Sequence, residues 1–292
     1  MNASRFAHLA QHLFNVPLMI HPAKAEIIYA ALAQRLGLAN VSLSRGLYDD
    51  DDGDVLFSAG RGRDRDDQGY DLIGPVARIP VIGTTVHKLG SLRPYSGMTG
   101  YDTIRHAIIA AAADDAVQGI MLDINSPGGE VSGCFDLVDT IYRIRQDKPI
   151  WAILSENAYS AGYAIASAAD QIVVPRTGGT GSIGALWIHL DYSRALKEAG
   201  IKPTMVTKGA FKGQGRPEFS LSEEAFEHAQ AEIDATGKIF DETVARNRGM
   251  SVKAVTATEA ACFQGPKGVD IGLADAVMAP DAAFQAFLQS LS

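Results

Sequence analysis

Four short segments bring together residue types able to perform acyl transfer. In Gly119-Ile-Met-Leu-Asp-Ile-Asn125-Ser126-Pro127-Gly128-Gly129-Glu130-Val131, an apolar run ends in a Pro-Gly-Gly turn and passes straight into a helical pattern. Glycines at such a junction let backbone N–H groups face outward beside a helix N-terminus, which suits an anion or a developing oxyanion. A simple tight turn between strand and helix uses the same residues. Between Trp151 and Ser167 a second strand-like run delivers Ser160 to the start of a helix, with Ala161 and Gly162 following. That arrangement exposes a hydroxyl and points the next N–H at whatever reacts with it, although a serine N-cap has the same pattern. Thr180-Gly181-Ser182-Ile183-Gly184 adds a second hydroxyl, and Thr207-Lys208-Gly209-Ala210-Phe211-Lys212-Gly213 sets lysines beside apolar and small residues. A lone lysine is usually a surface group. Taken together, the segments supply a hydroxyl nucleophile, an amine base, a second hydroxyl and oxyanion donors.

The elements that must position these residues alternate. Apolar, β-branched runs at Val76–Val81, Gly119–Ile124, Ile150–Leu154, Ile172–Val174, Ala185–Leu190 and Thr204–Val206 predict strands. Helical stretches at Tyr101–Ala113, Val131–Arg145, Ala161–Ala169 and Tyr192–Ala199 lie between them. Alternation of this kind predicts an α/β domain with a largely parallel sheet. A long helix is expected from Ser222, as N-cap, to Arg248, with Glu223 and Glu224 in its first turn. Short helical pieces are expected around Ala257–Cys262 and Leu273–Val277. Residues 1–47 have helical apolar spacing, broken by Pro17 and Pro22. Charged, glycine-punctuated stretches at 48–54 and 61–69 read as a solvated linker. A calcium loop in the acidic run fails, because its glycine register puts Tyr48 and Ala59 at the first and last ligand positions.

Composition narrows the function classes. The 292 residues are 47% hydrophobic and 21% charged, as in a soluble globular protein. A net charge of −8 gives no electrostatic footprint for nucleic acid. Cys134 and Cys262, far apart, match no metal spacing and no disulfide framework, which favours a reducing, cytoplasmic compartment. No apolar run is long enough for a membrane span, and polar residues through the first twenty positions speak against a secretory signal.

With these residues laid out, the sequence resembles the signal peptide peptidase A family of serine–lysine peptidases over about residues 75–280. The motifs that carry the likeness are Asn125-Ser-Pro-Gly-Gly129, Tyr159-Ser-Ala-Gly-Tyr163, Gly181-Ser-Ile-Gly184, Gly209-Ala-Phe-Lys212 and the closing Gly268-Val-Asp-Ile-Gly-Leu-Ala-Asp275. The resemblance implies a crotonase/Clp-like spiral of ββα units and oligomers whose subunits line a cavity. It makes Ser160 the nucleophile, Lys212 the general base and Ser182 the hydroxyl that holds the lysine. The amides of Gly129 and Ala161 form the oxyanion hole, with Gly128 shaping the turn. Lys208 is the neighbour most easily confused with Lys212. An ordinary lysine is protonated at pH 7, so the base must be desolvated. Phe211 and the nearby glycines suit such a site. No metal or organic cofactor is required.

The membrane anchor of other family members is not found in this sequence. Leu13-Phe-Asn-Val-Pro-Leu-Met-Ile-His21-Pro22-Ala-Lys24 resembles instead the start of the branch encoded by tailed phages and prophages. That branch works in head assembly, cleaving scaffold and capsid-associated proteins, which would be the partners here, in the host cytoplasm or the prohead. Too little sequence follows for a C-terminal scaffold domain, so scaffold is expected as a separate partner or as an alternative product of the same reading frame. The expected plan is a helical extension and charged linker over 1–70, separable by proteolysis between Asp49 and Gln68. A peptidase domain covers 71–280 and a tail 281–292.

Three other readings compete. A Clp-like Ser–His–Asp triad would use Ser160 and His189, but His189 alternates with Trp187 in an apolar run, which favours a packing or surface role. An inactive assembly protein using the fold only to oligomerise has no need to keep Ser160, Ser182 and Lys212 together. An acyl-CoA-processing crotonase needs oxyanion amides but leaves Ser160 and Lys212 without a task.

Overall fold

The computed structural model describes residues 16–26, 28, 68–89 and 97–291. Strand β1 (Leu18–Ile20) comes first. Strands β2 (Asp71–Ile73), β3 (Val76–Ile82), β4 (Thr84–Val86) and β5 (Met98–Gly100) lead into helix α1 (Tyr101–Ala113). Strands β6 (Gly119–Ser126) and β7 (Gly128–Glu130) precede α2 (Cys134–Ile144), and β8 (Ile150–Tyr159) precedes α3 (Ala161–Ser167). Then follow β9 (Gln171–Val174), β10 (Gly179–Gly181), α4 (Ser193–Glu198), α5 (Glu223–Arg248) and α6 (Val252–Thr256). The order closes with β11 (Cys262–Gln264), α7 (Pro266–Asp270), β12 (Ala276–Val277) and α8 (Pro280–Ser290). The successions β4-β5-α1 and β6-β7-α2 repeat a strand–strand–helix unit.

The main sheet has the order β11-β10-β8-β6-β3-β2, with β9 also paired to β8 and β12 to β9. Its central pairs, β3·β6, β6·β8 and β8·β10, are parallel. Strand β6 is buried at nearly every position, as a parallel strand covered on both faces must be. One face packs against α1, α2, α3 and α5 through Ile104, Ile108, Leu137, Ile165 and Phe240. The other is covered by α8, where Phe287 stacks on Trp151 with centroids 5.1 Å apart and packs beside Val76, Met121 and Ile153. Asp123, on β6 and only 4% exposed, is held by two hydrogen bonds from Arg78 (2.9 and 2.6 Å) and one from the Ser155 hydroxyl. A small second sheet, β1-β7-β4-β5, sits where the chain leaves the carboxyl ends of β3 and β6. Outside those ends is where open parallel sheets place their ligands.

Several elements depart from the sequence pattern. Residues 18–20, within the helical spacing, form a strand, and helix starts only at Pro22. Pro17 and Pro22 isolate this piece, and backbone pairing with β7 outweighs its weak helical preference. The Ala185–Leu190 run makes one bridge, Leu186 to Leu18, and no strand. Thr204–Val206 is exposed and unpaired, with Val206 93% exposed, since no neighbouring strand reaches it. The expected helix at 131–145 begins at Cys134, because Gly133 takes φ +81°. The 257–262 piece is turn running into β11, and Leu273–Val277 ends in β12 instead of a helix. The acidic run at 48–54, and with it the rejected calcium loop, lies outside the described residues.

Candidate active site

Ser160 occupies the single residue between β8 and α3, at φ 54° and ψ −121°. Only glycine adopts positive φ freely, and a non-glycine residue there carries about 1–3 kcal/mol of strain. The surroundings fix it: the Ser160 N–H donates to the Gly181 carbonyl (2.9 Å), and the Ser160 carbonyl accepts from the Ala164 N–H (2.9 Å). Every residue of α3 is buried. The serine is therefore held at a sharp strand-to-helix turn, the geometry that presents a nucleophile and aims the following N–H. Strand β10 runs parallel beside β8 with Gly181 opposite Tyr159. The next residue, Ser182, also has φ 54°, and its N–H donates to the Ala261 carbonyl (2.9 Å). Two neighbouring strands thus end level, each followed by a serine at φ 54°, the strands being about 4.8 Å apart.

The Pro127-Gly128-Gly129 turn packs directly against this serine. A Cβ on Gly128, which has φ +99°, would lie 2.8 Å from Ser160 Cβ and 3.0 Å from the Ala161 nitrogen. On Gly129 it would lie 1.7 Å from the Thr85 carbonyl oxygen. Neither position has room for a side chain, and the absence of one lets the backbone of β7 approach the nucleophile. Below the turn, the Ser126 hydroxyl donates to the Gly83 carbonyl (2.7 Å) and accepts from the Gly128 N–H (3.2 Å). Beyond it, the Tyr101 hydroxyl donates to the Glu130 carbonyl (2.7 Å), and burial pushes that phenol well up. Ser160, Ser182, Gly128, Gly129 and Ala161 are therefore gathered at one point.

Lys212 is not gathered with them. It lies on an exposed turn, its N–H donating to the Gly209 carbonyl, and its side chain contacts neither serine among the described residues. Phe211, expected to help desolvate it, is 57% exposed and leans on His228 of α5, with ring centroids 4.8 Å apart. Phe211 and His228 line a cleft together with Pro17 and Trp187, at the outer side of β1. His189 stacks on Trp187, 5.8 Å between centroids, and both its ring nitrogens are buried without a partner. It makes no hydrogen bond to Ser160, so His189 and Ser160 form no Ser–His pair.

Two neighbours of the site escaped the sequence reading. Cys262, on β11, lies opposite Gly181 and so beside Ser182, and partial burial pushes its thiol up. Strand β1 lies along the Gly128–Glu130 edge, with Met19 opposite Gly129. The only sequence signal for β1 is its bracketing by two prolines. The closing motif proves structural: the Leu273 carbonyl accepts from the buried Tyr163 hydroxyl (3.0 Å), and Asp275 accepts two hydrogen bonds from Arg248 (3.0 and 2.7 Å). Among the described residues, no helix is long and apolar enough to cross a membrane, and no His, Cys, Asp and Glu cluster is placed to hold a metal.

A positive-φ serine at a strand–helix junction, backed by a glycine turn on an α/β sheet, is the arrangement of a serine-hydrolase nucleophile. The chain belongs to peptidase family S49, whose model matches residues 143–291, and residues 96–177 match the Clp protease model. It is 39% identical over 289 residues to the head-tail preconnector protein GP5 of Enterobacteria phage P21, covering 98% of this chain and 58% of that protein. It is 38% identical over 282 residues to the capsid assembly protease C of Escherichia phage lambda, covering 92% of this chain and 62% of that one. A chloroplastic serine protease SPPA of Arabidopsis thaliana is 27% identical over 159 residues, covering 54% of this chain and 24% of that protein. The chain thus spans about three-fifths of the length of the two phage relatives.

Proposed function

We propose that this protein is a serine endopeptidase that cleaves scaffold and capsid-associated proteins during phage head assembly. The observation that carries it is the strained Ser160 turn packed against the side-chain-free backbone of Gly128, with the Ala161 nitrogen beside the same point. The name of the lambda relative, a capsid assembly protease, supports the choice of substrate. In this mechanism Ser160 Oγ attacks the scissile carbonyl carbon and its proton passes to a neutral Lys212 amine. The Gly129 and Ala161 N–H groups stabilise the oxyanion. The C–N bond then breaks as Lys212 returns the proton to the leaving amine, and water hydrolyses the acyl-serine. Ser182 holds the lysine amine by a hydrogen bond.

Lys212 needs a partner surface to become such a base. Its segment carries the exposed apolar residues Ile201, Met205, Val206 and Phe211, and Phe226 adds to them from the start of α5. Exposed large apolar side chains of this kind favour association, so the base is completed in a homo-oligomer, where burial of this segment desolvates the amine. Residues 71–280 form the catalytic domain, and 1–70 an extension that docks through β1. The working compartment is the host cytoplasm and the prohead. The test is co-expression with the phage scaffold protein: wild type should cleave it and Ser160→Ala should leave it whole. Scaffold cleaved equally by both would refute the proposal, and scaffold assembled but uncut by both would favour an inactive assembly protein.

A further inference from the structure

We infer that the Met19–Ile20 peptide bond of this chain is itself a substrate of Ser160, an inference that rests on the peptidase mechanism above. Residues 17–21 run as an extended strand between two edges of the site. On one side β1 pairs antiparallel with β7, Leu18 opposite Glu130, Met19 opposite Gly129 and Ile20 opposite Gly128. On the other, Leu18 and Leu186 exchange both backbone hydrogen bonds, each 2.9 Å. A strand held on both sides in this way fills the place an extended peptide substrate takes when it adds to a sheet edge.

The register selects the bond. The His21 N–H donates to the Pro127 carbonyl (2.7 Å) and the Val131 N–H to the Pro17 carbonyl (3.5 Å). Bonded pairs alternate along an antiparallel ladder, so Met19 and Gly129, midway between these two, form the next bonded pair. The Met19 carbonyl thus accepts from the Gly129 N–H, one of the two oxyanion donors. The same oxygen lies 2.2 Å from the point a Gly128 Cβ would occupy, a point 2.8 Å from Ser160 Cβ and 3.0 Å from the Ala161 nitrogen. One missing methyl group is all that separates this carbonyl from the nucleophile and from the second donor. Met19 is 0% exposed, its side chain sunk in the main core beside the serine, so the pocket preceding the scissile bond takes an unbranched apolar side chain.

The step is ordinary hydrolysis. Ser160 Oγ bonds to the Met19 carbonyl carbon and gives up its proton to the base, the Met19–Ile20 C–N bond breaks, and the proton goes to the Ile20 nitrogen. Water then frees the Met19 carboxylate and restores the serine. Any other substrate strand needs the edges that β1 holds, so cutting β1 clears the site for it.

The experiment follows purified full-length protein by intact mass and N-terminal sequencing, beside Ser160→Ala. Both are also assayed on a separate peptide carrying Leu-Met-Ile-His. Wild type should lose the mass of residues 1–19 and show a new N-terminus at Ile20, while Ser160→Ala keeps its whole chain. Peptide cleavage by a wild-type protein whose own chain stays intact at 19–20, or is cut only elsewhere, overturns the inference and leaves the peptidase mechanism standing. Failure to cut either the peptide or itself overturns both.

Discussion

Replacing Gly128 by alanine tests the geometry of the site at its tightest point. The new Cβ would sit 2.2 Å from the Met19 carbonyl oxygen and 2.8 Å from Ser160 Cβ, both part of or next to rigid backbone. Reaching ordinary contact requires the turn to retreat by about 1 Å, a displacement that costs on the order of 10²-fold when it separates catalytic groups. Loss of an oxyanion donor alone costs about 10²–10³-fold, or about 2.7–4 kcal/mol. The φ of +99° adds backbone strain of about 1–2 kcal/mol. Gly200→Ala separates the two effects, because Gly200 has φ +74° with nothing within 4 Å of its Cβ position. It should lose about 1 kcal/mol of stability, a fall of about 2–4 °C in Tm, with kcat/KM within about threefold of wild type. Gly128→Ala should lose more stability and at least 10²-fold in kcat/KM, read by thermal unfolding and peptide hydrolysis. If Gly128→Ala behaves like Gly200→Ala in both assays, the turn does not build the oxyanion site.

His21, whose ring lies 5.1 Å from that of Tyr159, has its pKa lowered by burial. Its neutral form is favoured in the folded state, so β1 docking should be firm above the ordinary imidazole value of about 6.5 and weaken as pH falls below it. In Ser160→Ala, which keeps its whole chain, the protection factors of Leu18–Ile20 (exchange rates relative to the intrinsic rate at each pH) should fall from pH 7 to pH 5.5, and pH-independent protection factors would remove His21 as the cause. Val206→Asp and Phe211→Asp should yield a folded, smaller and inactive species by light scattering and peptide assay, and unchanged size with full activity would rule out that patch as the interface. Mixing inactive Ser160→Ala with inactive Lys212→Ala should restore part of the activity, since the exposed Lys212 makes no hydrogen bond to Ser160 or Ser182 within one chain. No restoration would mean that base and nucleophile meet within one chain.

What the sequence revealed follows from the range of the interactions involved. Helices Tyr101–Ala113 and Glu223–Arg248 match their apolar spacing and, for the latter, the Ser222 cap, because both signals are local. The glycine turn at 128–129 and the serines at 160 and 182 were recognisable as motifs, but their positive φ and level ends depend on the pairing of β8 with β10. Strand β1 was hidden because three residues gain their structure from partners more than a hundred positions away, at Gly128–Glu130 and Leu186. Thr204–Val206 has strand composition but, among the described residues, no strand to pair with. The environment of Lys212 belongs to the same class: a surface that one chain alone leaves open carries no local signal of what covers it.

Action of Ser160 and Lys212 as one peptidase dyad is measured by kcat/KM on one apolar peptide for Ser160→Ala, Lys212→Ala, their double variant and His189→Ala. Groups that act as a unit fail together, so each of the first two should lose activity by at least about 10²–10⁴-fold and the double variant should be scarcely worse. His189→Ala should retain most of the activity, since that ring only packs against Trp187. Full activity in Lys212→Ala, with loss in His189→Ala, would contradict the account.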